Sequence, residues 1–86
     1  MVKDVEVVRM NRIEGESKIK AFCDISLFGS LIIKGVKVIL GEELYISMPS
    51  ERTKDGKWYN TVYMLSETLK RDVHDSVINA YDENVL

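Results

Sequence analysis

Hydrophobic and polar residues alternate in steps of two through most of the first half of the chain. The clearest run extends from Ile19 to Leu27, where five apolar residues on one face are separated by mainly polar ones. Strand side chains change faces at each residue, so this run predicts a half-buried β-strand. A weaker alternation at Val5 and Val7 predicts a strand before it, and residues 11–17 are expected to connect the two.

Further strands are predicted after a turn at residues 28–30. The stretch from Leu31 to Leu40 is rich in β-branched residues, and Gly35 inside it suggests a bulge or a close approach of another segment. The next alternation ends at Pro49, which has no backbone donor for a ladder. The pair Asp55-Gly56 favours a hairpin turn, and one or two short strands are expected over 57–65.

The hydrophobic period changes from two to that of a helix after Ser66, which is a natural N-cap. Four apolar residues recur at intervals of four, four and three and define a core-facing stripe: Leu69, Val73, Val77 and Ala80. The helix is predicted over about residues 67–82. We therefore expect one α+β domain over 1–86, with a small antiparallel sheet of about five strands over about 2–65 and one C-terminal α-helix.

Composition and charge argue against several classes of function and location. Twelve Lys and Arg against fourteen Asp and Glu give a net charge of −2, which argues against a chain-wide electrostatic attraction to nucleic acid or membrane. A local basic patch on a dimer stays compatible with this balance. The N-terminus lacks the apolar core of a signal peptide, and the longest apolar stretch contains two lysines. A soluble cytoplasmic protein with no membrane partner is expected, because the lone Cys23 fits a reducing compartment.

Catalytic chemistry has little support in the sequence. His74 is the only histidine and fits a helical surface position. Cys23 lies on the inward face of its strand and fits a small core hydrophobe. The carboxylate pairs at 14/16 and 42/43 fall in predicted turns, and no phosphate loop, metal motif or nucleophile elbow occurs. We therefore expect that the protein is not an enzyme and that it has no cofactor, metal site or small-molecule substrate.

A charged segment over residues 48–58 offers two interpretations. Its cations Arg52, Lys54 and Lys57 lie near the aromatic pair Trp58-Tyr59, a combination that could hold phosphate and stack bases. The same residues also fit a charged hairpin loop with the tryptophan packed on the sheet, and the residues alone favour this second interpretation.

The other basic pair, Lys70 and Arg71, falls near the start of the predicted helix. Arg71 is four residues from Asp75, so an i,i+4 ion pair is a ready structural explanation for it. Three aspartates make the outer face of the helix acidic, which argues against a helix that follows phosphates: Asp72, Asp75 and Asp82.

The middle of the chain matches a known pattern, V-I-x-G-x-x-G-L-F-V-A-M-P-S-x-x-x-x-D-G. The matching residues are Val36-Lys37-Val38-Ile39-Leu40-Gly41, Leu44-Tyr45-Ile46-Ser47-Met48-Pro49-Ser50 and Arg52-Thr53-Lys54-Asp55-Gly56. This run resembles the bacterial stage V sporulation protein G family, the septation protein SpoVG. The similarity extends over nearly the whole chain. The turn after Gly41 is one residue shorter than in the family, and the family's A-H-P-I-N is replaced by residues 62–66.

The resemblance implies a small antiparallel sheet with a C-terminal helix and a homodimer formed largely through the sheets. It also implies a regulator of cell division and sporulation that binds DNA, with RNA as a further ligand, at the start of the C-terminal helix. On this alignment Lys70 and Arg71 are the primary candidates for the nucleic-acid contact. Arg52, Lys54 and Lys57 are the auxiliary candidates.

A second hypothesis is a protein-interaction module with no role in nucleic-acid binding. The acidic pI of about 5.3 and the acidic outer helix face motivate it. It predicts that exposed aromatic residues such as Tyr59 or Tyr63, and not Lys70, carry the binding.

Overall fold

The computed structural model describes residues 4–83, so residues 2 and 3 of the predicted strand region lie outside the described residues. Its elements are β1 (Val5–Arg12), β2 (Ile19–Leu27), β3 (Leu31–Leu40), β4 (Leu44–Ser47), β5 (Ser50–Arg52), β6 (Trp58–Asn60) and α1 (Glu67–Glu83). The first four strands form an antiparallel sheet in the order β1-β2-β3-β4, and β5 pairs with β6 in a separate hairpin. The α+β prediction is confirmed.

The strand count is six where about five were expected, because the charged segment after Pro49 contains a strand. Ser50 pairs with Asn60 and Arg52 pairs with Trp58. The Thr53 amide donates to the Lys57 carbonyl at 2.8 Å, which closes the hairpin above the predicted turn. Backbone pairing thus satisfies donors and acceptors in a segment that composition alone marked as a loop.

One face of the four-stranded sheet packs against α1 and forms the core. As predicted, the alternation of β2 places four of its residues on this face. The other buried residues come from β1, β3 and α1. The buried residues are Val5, Ala21, Cys23, Ile25, Leu27, Ile33, Val36, Val38, Val73 and Val77. The predicted helical stripe is therefore confirmed at its two central positions, Val73 and Val77, which are fully buried.

The predicted bulge at Gly35 is confirmed. Its φ is 84°, a backbone conformation that residues with a Cβ rarely adopt. The pairing of β2 with β3 shifts register between Cys23 and Ile25, and the Gly35 amide donates to the Asp24 carboxylate at 3.3 Å. The side chain of Asp24 thus supplies an acceptor where the ladder is interrupted.

Both ends of α1 are attached by specific contacts. Ser66 caps the first turn, since its Oγ accepts a hydrogen bond from the Leu69 amide at 3.1 Å. At the other end, the Arg12 guanidinium of β1 donates to the Tyr81 carbonyl at 3.0 Å and lies 4.2 Å from the centre of the Tyr81 ring. These contacts restrain how far α1 can slide or rotate on the sheet.

We expect Leu27→Ala to lower the free energy of unfolding by about 2–5 kcal/mol, because it opens a cavity in the core. Leu27 is 5% exposed, whereas Leu65 is 95% exposed. The matched control Leu65→Ala should therefore change stability by less than about 0.5 kcal/mol. Urea unfolding followed by circular dichroism measures both, and equal losses would contradict the assigned core.

Candidate nucleic-acid interface

Four side chains of α1 lie along one face of the helix and form one wall of a cleft. Glu67, Lys70, Arg71 and His74 recur at positions i, i+3, i+4 and i+7, which share a helical face. This face is displaced around the helix axis from the buried stripe at Val73. The rotation of α1 that buries its apolar stripe therefore turns the two cations toward the cleft.

The opposite wall comes from three other segments of the chain. Ile46 belongs to β4, Asn60 ends β6, and the segment that leads to the helix adds Val62, Tyr63 and Met64. Met48, immediately after β4, completes it. The cleft has a volume of about 660 Å³, and its half-buried aliphatic and methionine side chains pack against the core. The cleft thus has a charged helical wall on one side. On the other side, Ile46, Met48, Val62 and Met64 form an apolar surface, called the cleft floor below.

The primary candidates predicted from the sequence, Lys70 and Arg71, both line this cleft. Lys70 Nζ lies 3.2 Å from Glu67 Oε1; the Lys70 side chain is about half exposed and that of Glu67 is largely exposed. An exposed ion pair of this kind is worth only about 0–1 kcal/mol. A phosphate can therefore compete with Glu67 for the ammonium group at little cost.

The expected ion pair between Arg71 and Asp75 is not formed. Asp75 Oδ1 instead lies 3.3 Å from His74 Nδ1, and within residues 4–83 Arg71 forms no ion pair. The two residues are one helical turn apart, so the directions of their side chains decide whether they pair. Arg71 lines the cleft, whereas Asp75 is not among the residues that line it.

Three aspartates of α1 lie outside the cleft and on the opposite side of the helix from Lys70. Asp72 borders a separate small hollow with Phe28 and Leu69, and neither Asp75 nor Asp82 lines the cleft. At 100° per residue these aspartates fall on the side of α1 away from Lys70. The acidic outer face predicted from the sequence is real, but Glu67 is the only carboxylate among the described residues that line the cleft.

The auxiliary candidates lie elsewhere. Arg52 is in β5, Lys54 and Lys57 flank the hairpin turn, and none of the three lines the cleft. The guanidinium of Arg52 folds over the turn at Gly56, 3.5 Å from where a Cβ on that glycine would lie. The structure therefore does not bring the five predicted cations into one cluster.

The residues alone favour a Trp58 that packs on the sheet, and this prediction is wrong. Trp58 is 65% exposed, and its ring centre lies 6.0 Å from the Lys37 Nζ of β3. The β5-β6 hairpin pairs with no strand of the four-stranded sheet in the described part of the chain, and its strand residues are exposed except for the half-buried Ser50.

Several residues that line the cleft were not among the candidates identified from the sequence. Asn60 and Met48 carried no signal of their own, and His74 was interpreted only as a surface histidine. Tyr63 had been considered for protein binding alone. The spacing of residues 67, 70, 71 and 74 could have indicated the helical wall, but the facing residues come from separate segments that no local pattern connects.

Cys23 is a core residue, as predicted. It is 1% exposed, and burial together with the nearby Asp24 charge raises its pKa to about 11. A thiol with so little thiolate near neutral pH is a poor nucleophile. Within residues 4–83, no group of three or more His, Cys, Asp or Glu side chains could hold a metal ion.

A scan against protein-family models matches residues 2–83 to the SpoVG model. The chain belongs to the SpoVG family. This confirms the resemblance inferred from the Met48-Pro49-Ser50 motif and the Asp55-Gly56 turn.

Individual relatives agree with this assignment. A protein of Symbiobacterium thermophilum is 37% identical over 76 residues, which are 87% of this chain and 54% of that protein. One of Archaeoglobus fulgidus is 33% identical over 81 residues, 93% of this chain and 95% of the relative. One of Staphylococcus aureus strain Newman is 31% identical over 77 residues, which are 88% of this chain and 77% of the relative. Each is named "Putative septation protein SpoVG". The chain spans about half the length of the Symbiobacterium protein and nearly all of the Archaeoglobus protein.

Among the described residues, no helix is long and apolar enough to cross a membrane.

We expect native Cys23 to react with a maleimide only when the protein opens, because its thiol is buried and its pKa is about 11. Labelling should accelerate with urea in proportion to the unfolded population, and the fully denatured protein should label at once. The pKa of Cys23 in the folded state lies above the ordinary 9.0, so the contribution of Cys23 to stability should be constant below about pH 9 and fall as the pH rises toward 11. Rapid labelling of the folded protein at the rate of a free cysteine would contradict the buried position.

Proposed function

We propose that this member of the SpoVG family is a regulator that binds nucleic acid and acts in septation and sporulation. The septation role is supported by the names of its relatives. The binding role is supported by one observation above all. Lys70 and Arg71 line one wall of a cleft while the aspartates of α1 lie outside it.

The chemistry of this wall suits a phosphate backbone. Arg71 presents a planar guanidinium that can bind phosphate through two parallel hydrogen bonds, and Lys70 adds a compact charge. Such contacts position a nucleic acid without reading its bases. We propose DNA as the ligand, with RNA as an alternative, and a binding role without a catalytic step. A lone free thiol is compatible with the reducing cytoplasm, where we propose the protein acts.

The double variant Lys70→Ala/Arg71→Ala should weaken binding and make it less sensitive to salt. Losing two phosphate contacts should reduce the slope of log K against log salt by about 1.8 for duplex DNA and about 1.4 for a single strand. Fluorescence anisotropy with labelled oligonucleotides, between about 50 and 200 mM salt, measures both quantities.

The matched control is Lys18→Ala/Lys34→Ala, which removes the same charge from two exposed lysines outside the cleft. It should leave the slope almost unchanged. If the two double variants behave alike, the effect is one of net charge and the site assignment is wrong. If the unaltered protein binds no nucleic acid at low salt, the proposed function fails.

We also propose that the protein is a homodimer, which would place two such clefts on one particle. The face of the four-stranded sheet opposite α1 carries partly exposed apolar residues on three strands: Phe22, Ile32 and Tyr45. The proposed partner is a second copy of the chain, because a self-complementary two-fold contact can cover the same apolar face on both subunits. Two weak basic patches would then act together.

Light scattering during gel filtration should give a mass twice the 9.9 kDa of one chain. Tyr45→Asp should shift the protein toward the monomer, because it places a charge within the proposed apolar contact. Tyr59→Asp is the control, since both tyrosines are 48% exposed but Tyr59 lies on the hairpin. A monomeric mass for the unaltered protein would contradict the proposal.

A protein-interaction module is the second candidate. It is supported by the exposure of Tyr63 and Leu65, which are 71% and 95% exposed and lie in the same connecting segment. Large exposed apolar side chains close together often indicate a binding surface. The anisotropy experiment distinguishes the two candidates, because this one requires no binding of any oligonucleotide at low salt.

A further inference from the structure

We propose that the cleft holds an unpaired base of a single-stranded nucleic acid, which stacks on Tyr63 while Lys70 and Arg71 hold the adjacent phosphates. This inference rests on the proposed function and specifies its ligand. It proposes that the cleft binds a single strand more tightly than a duplex.

The first argument is the chemistry of the cleft floor. Ile46, Met48, Val62 and Met64 line it with aliphatic and thioether groups, yet the helical wall is charged. A phosphate backbone alone would bind the wall and leave the apolar floor in water. A nucleobase attached to that backbone would cover the floor and remove its apolar surface from water.

The second argument is size. At about 660 Å³ the cleft lies within the range of about 300–1,000 Å³ that is typical of small-molecule pockets. A base with its sugar fits such a volume. The charged wall also borders the apolar floor of the cleft. A base on the floor and a phosphate at Lys70 can therefore belong to neighbouring parts of one nucleotide chain.

The third argument is the position of Tyr63 and Asn60. Tyr63 lines the cleft and is 71% exposed, so its ring is available for stacking. Base stacking on aromatic side chains is tolerant of sequence because every base has a π-face. The side-chain amide of Asn60, also in the cleft wall, can both donate to and accept from a base edge.

A duplex fits the same surface poorly. A helix that reads double-stranded DNA enters the major groove and passes between two rows of phosphates. α1 packs on the sheet through Val73 and Val77, and its outer side carries Asp72, Asp75 and Asp82. Those carboxylates would face the phosphates of one strand, and they would repel it. A single strand that follows the cleft wall meets Lys70 and Arg71 and avoids the outer face.

The test compares three labelled probes of the same sequence by fluorescence anisotropy: single-stranded DNA, single-stranded RNA and the annealed DNA duplex. We expect at least one single strand to bind several-fold more tightly than the duplex. Tyr63→Ala should weaken single-strand binding by about tenfold, because it removes one stacking contact. Tyr63→Phe keeps the ring and should retain the affinity, and duplex binding should not respond to either change.

Tyr59→Ala is the matched control, since Tyr59 is an exposed tyrosine that does not line the cleft. A second probe set with one abasic position in turn along the strand keeps every phosphate and removes one base. At least one such position should reproduce the loss seen with Tyr63→Ala. Circular dichroism and a thermal melt confirm that each variant is folded.

The outcomes separate this inference from the function on which it rests. A duplex that binds as tightly as the tighter-binding single strand, or a Tyr63→Ala protein that behaves like Tyr59→Ala, overturns the base-binding cleft and leaves phosphate binding by Lys70 and Arg71 intact. No binding of any probe at low salt overturns both.

Discussion

The packing of α1 on one face of the four-stranded sheet determines which side chains of the helix reach the cleft. Val73 and Val77 are fully buried in the same cluster as Cys23, Ile25 and Val36 of the sheet. Once this stripe is buried, the rotation of α1 about its axis is set, because its residues follow one another at a fixed angle. The contact of Arg12 with Tyr81 and the cap at Ser66 restrain its two ends. Every other side chain of the helix then has a defined direction.

This rotation separates charges that adjoin in the sequence. Lys70, Arg71 and Asp72 are consecutive, yet the first two line the cleft and the third borders a different hollow. The residues that line the cleft include two cations and one carboxylate, whereas the whole chain has a net charge of −2. Charge in the interior of a cleft acts more strongly than the same charge spread over a surface, since low-dielectric walls focus the field.

The SpoVG motif has a structural role at the opposite wall. Met48 lines the cleft, the carbonyl of Pro49 accepts hydrogen bonds from the amide and the hydroxyl of Thr61 at 2.9 and 3.2 Å, and Ser50 begins the β5-β6 hairpin. Pro49 thus joins the chain entering the hairpin to the chain leaving it. That junction directs the segment containing Tyr63 along the cleft. The family's motif therefore supports the site from outside the helix.

Elements with local signals could be predicted from the amino-acid sequence. The alternation of β2, the bulge at Gly35 and the cap at Ser66 were predictable because side-chain period, backbone freedom and capping depend on a few adjacent residues. The same holds for the helix, expected over about 67–82 and observed over Glu67–Glu83. Lys70 and Arg71 were identified as candidates through the family resemblance.

Tertiary structure alone decided what surrounds those two cations. Met48, Asn60 and Tyr63 reach the cleft from three segments, and Arg52, Lys54 and Lys57 do not reach it. The exposure of Trp58 was also not predictable. Each of these depends on how segments distant in the chain pack together, and packing is set by the shape of the whole core, which no local period encodes.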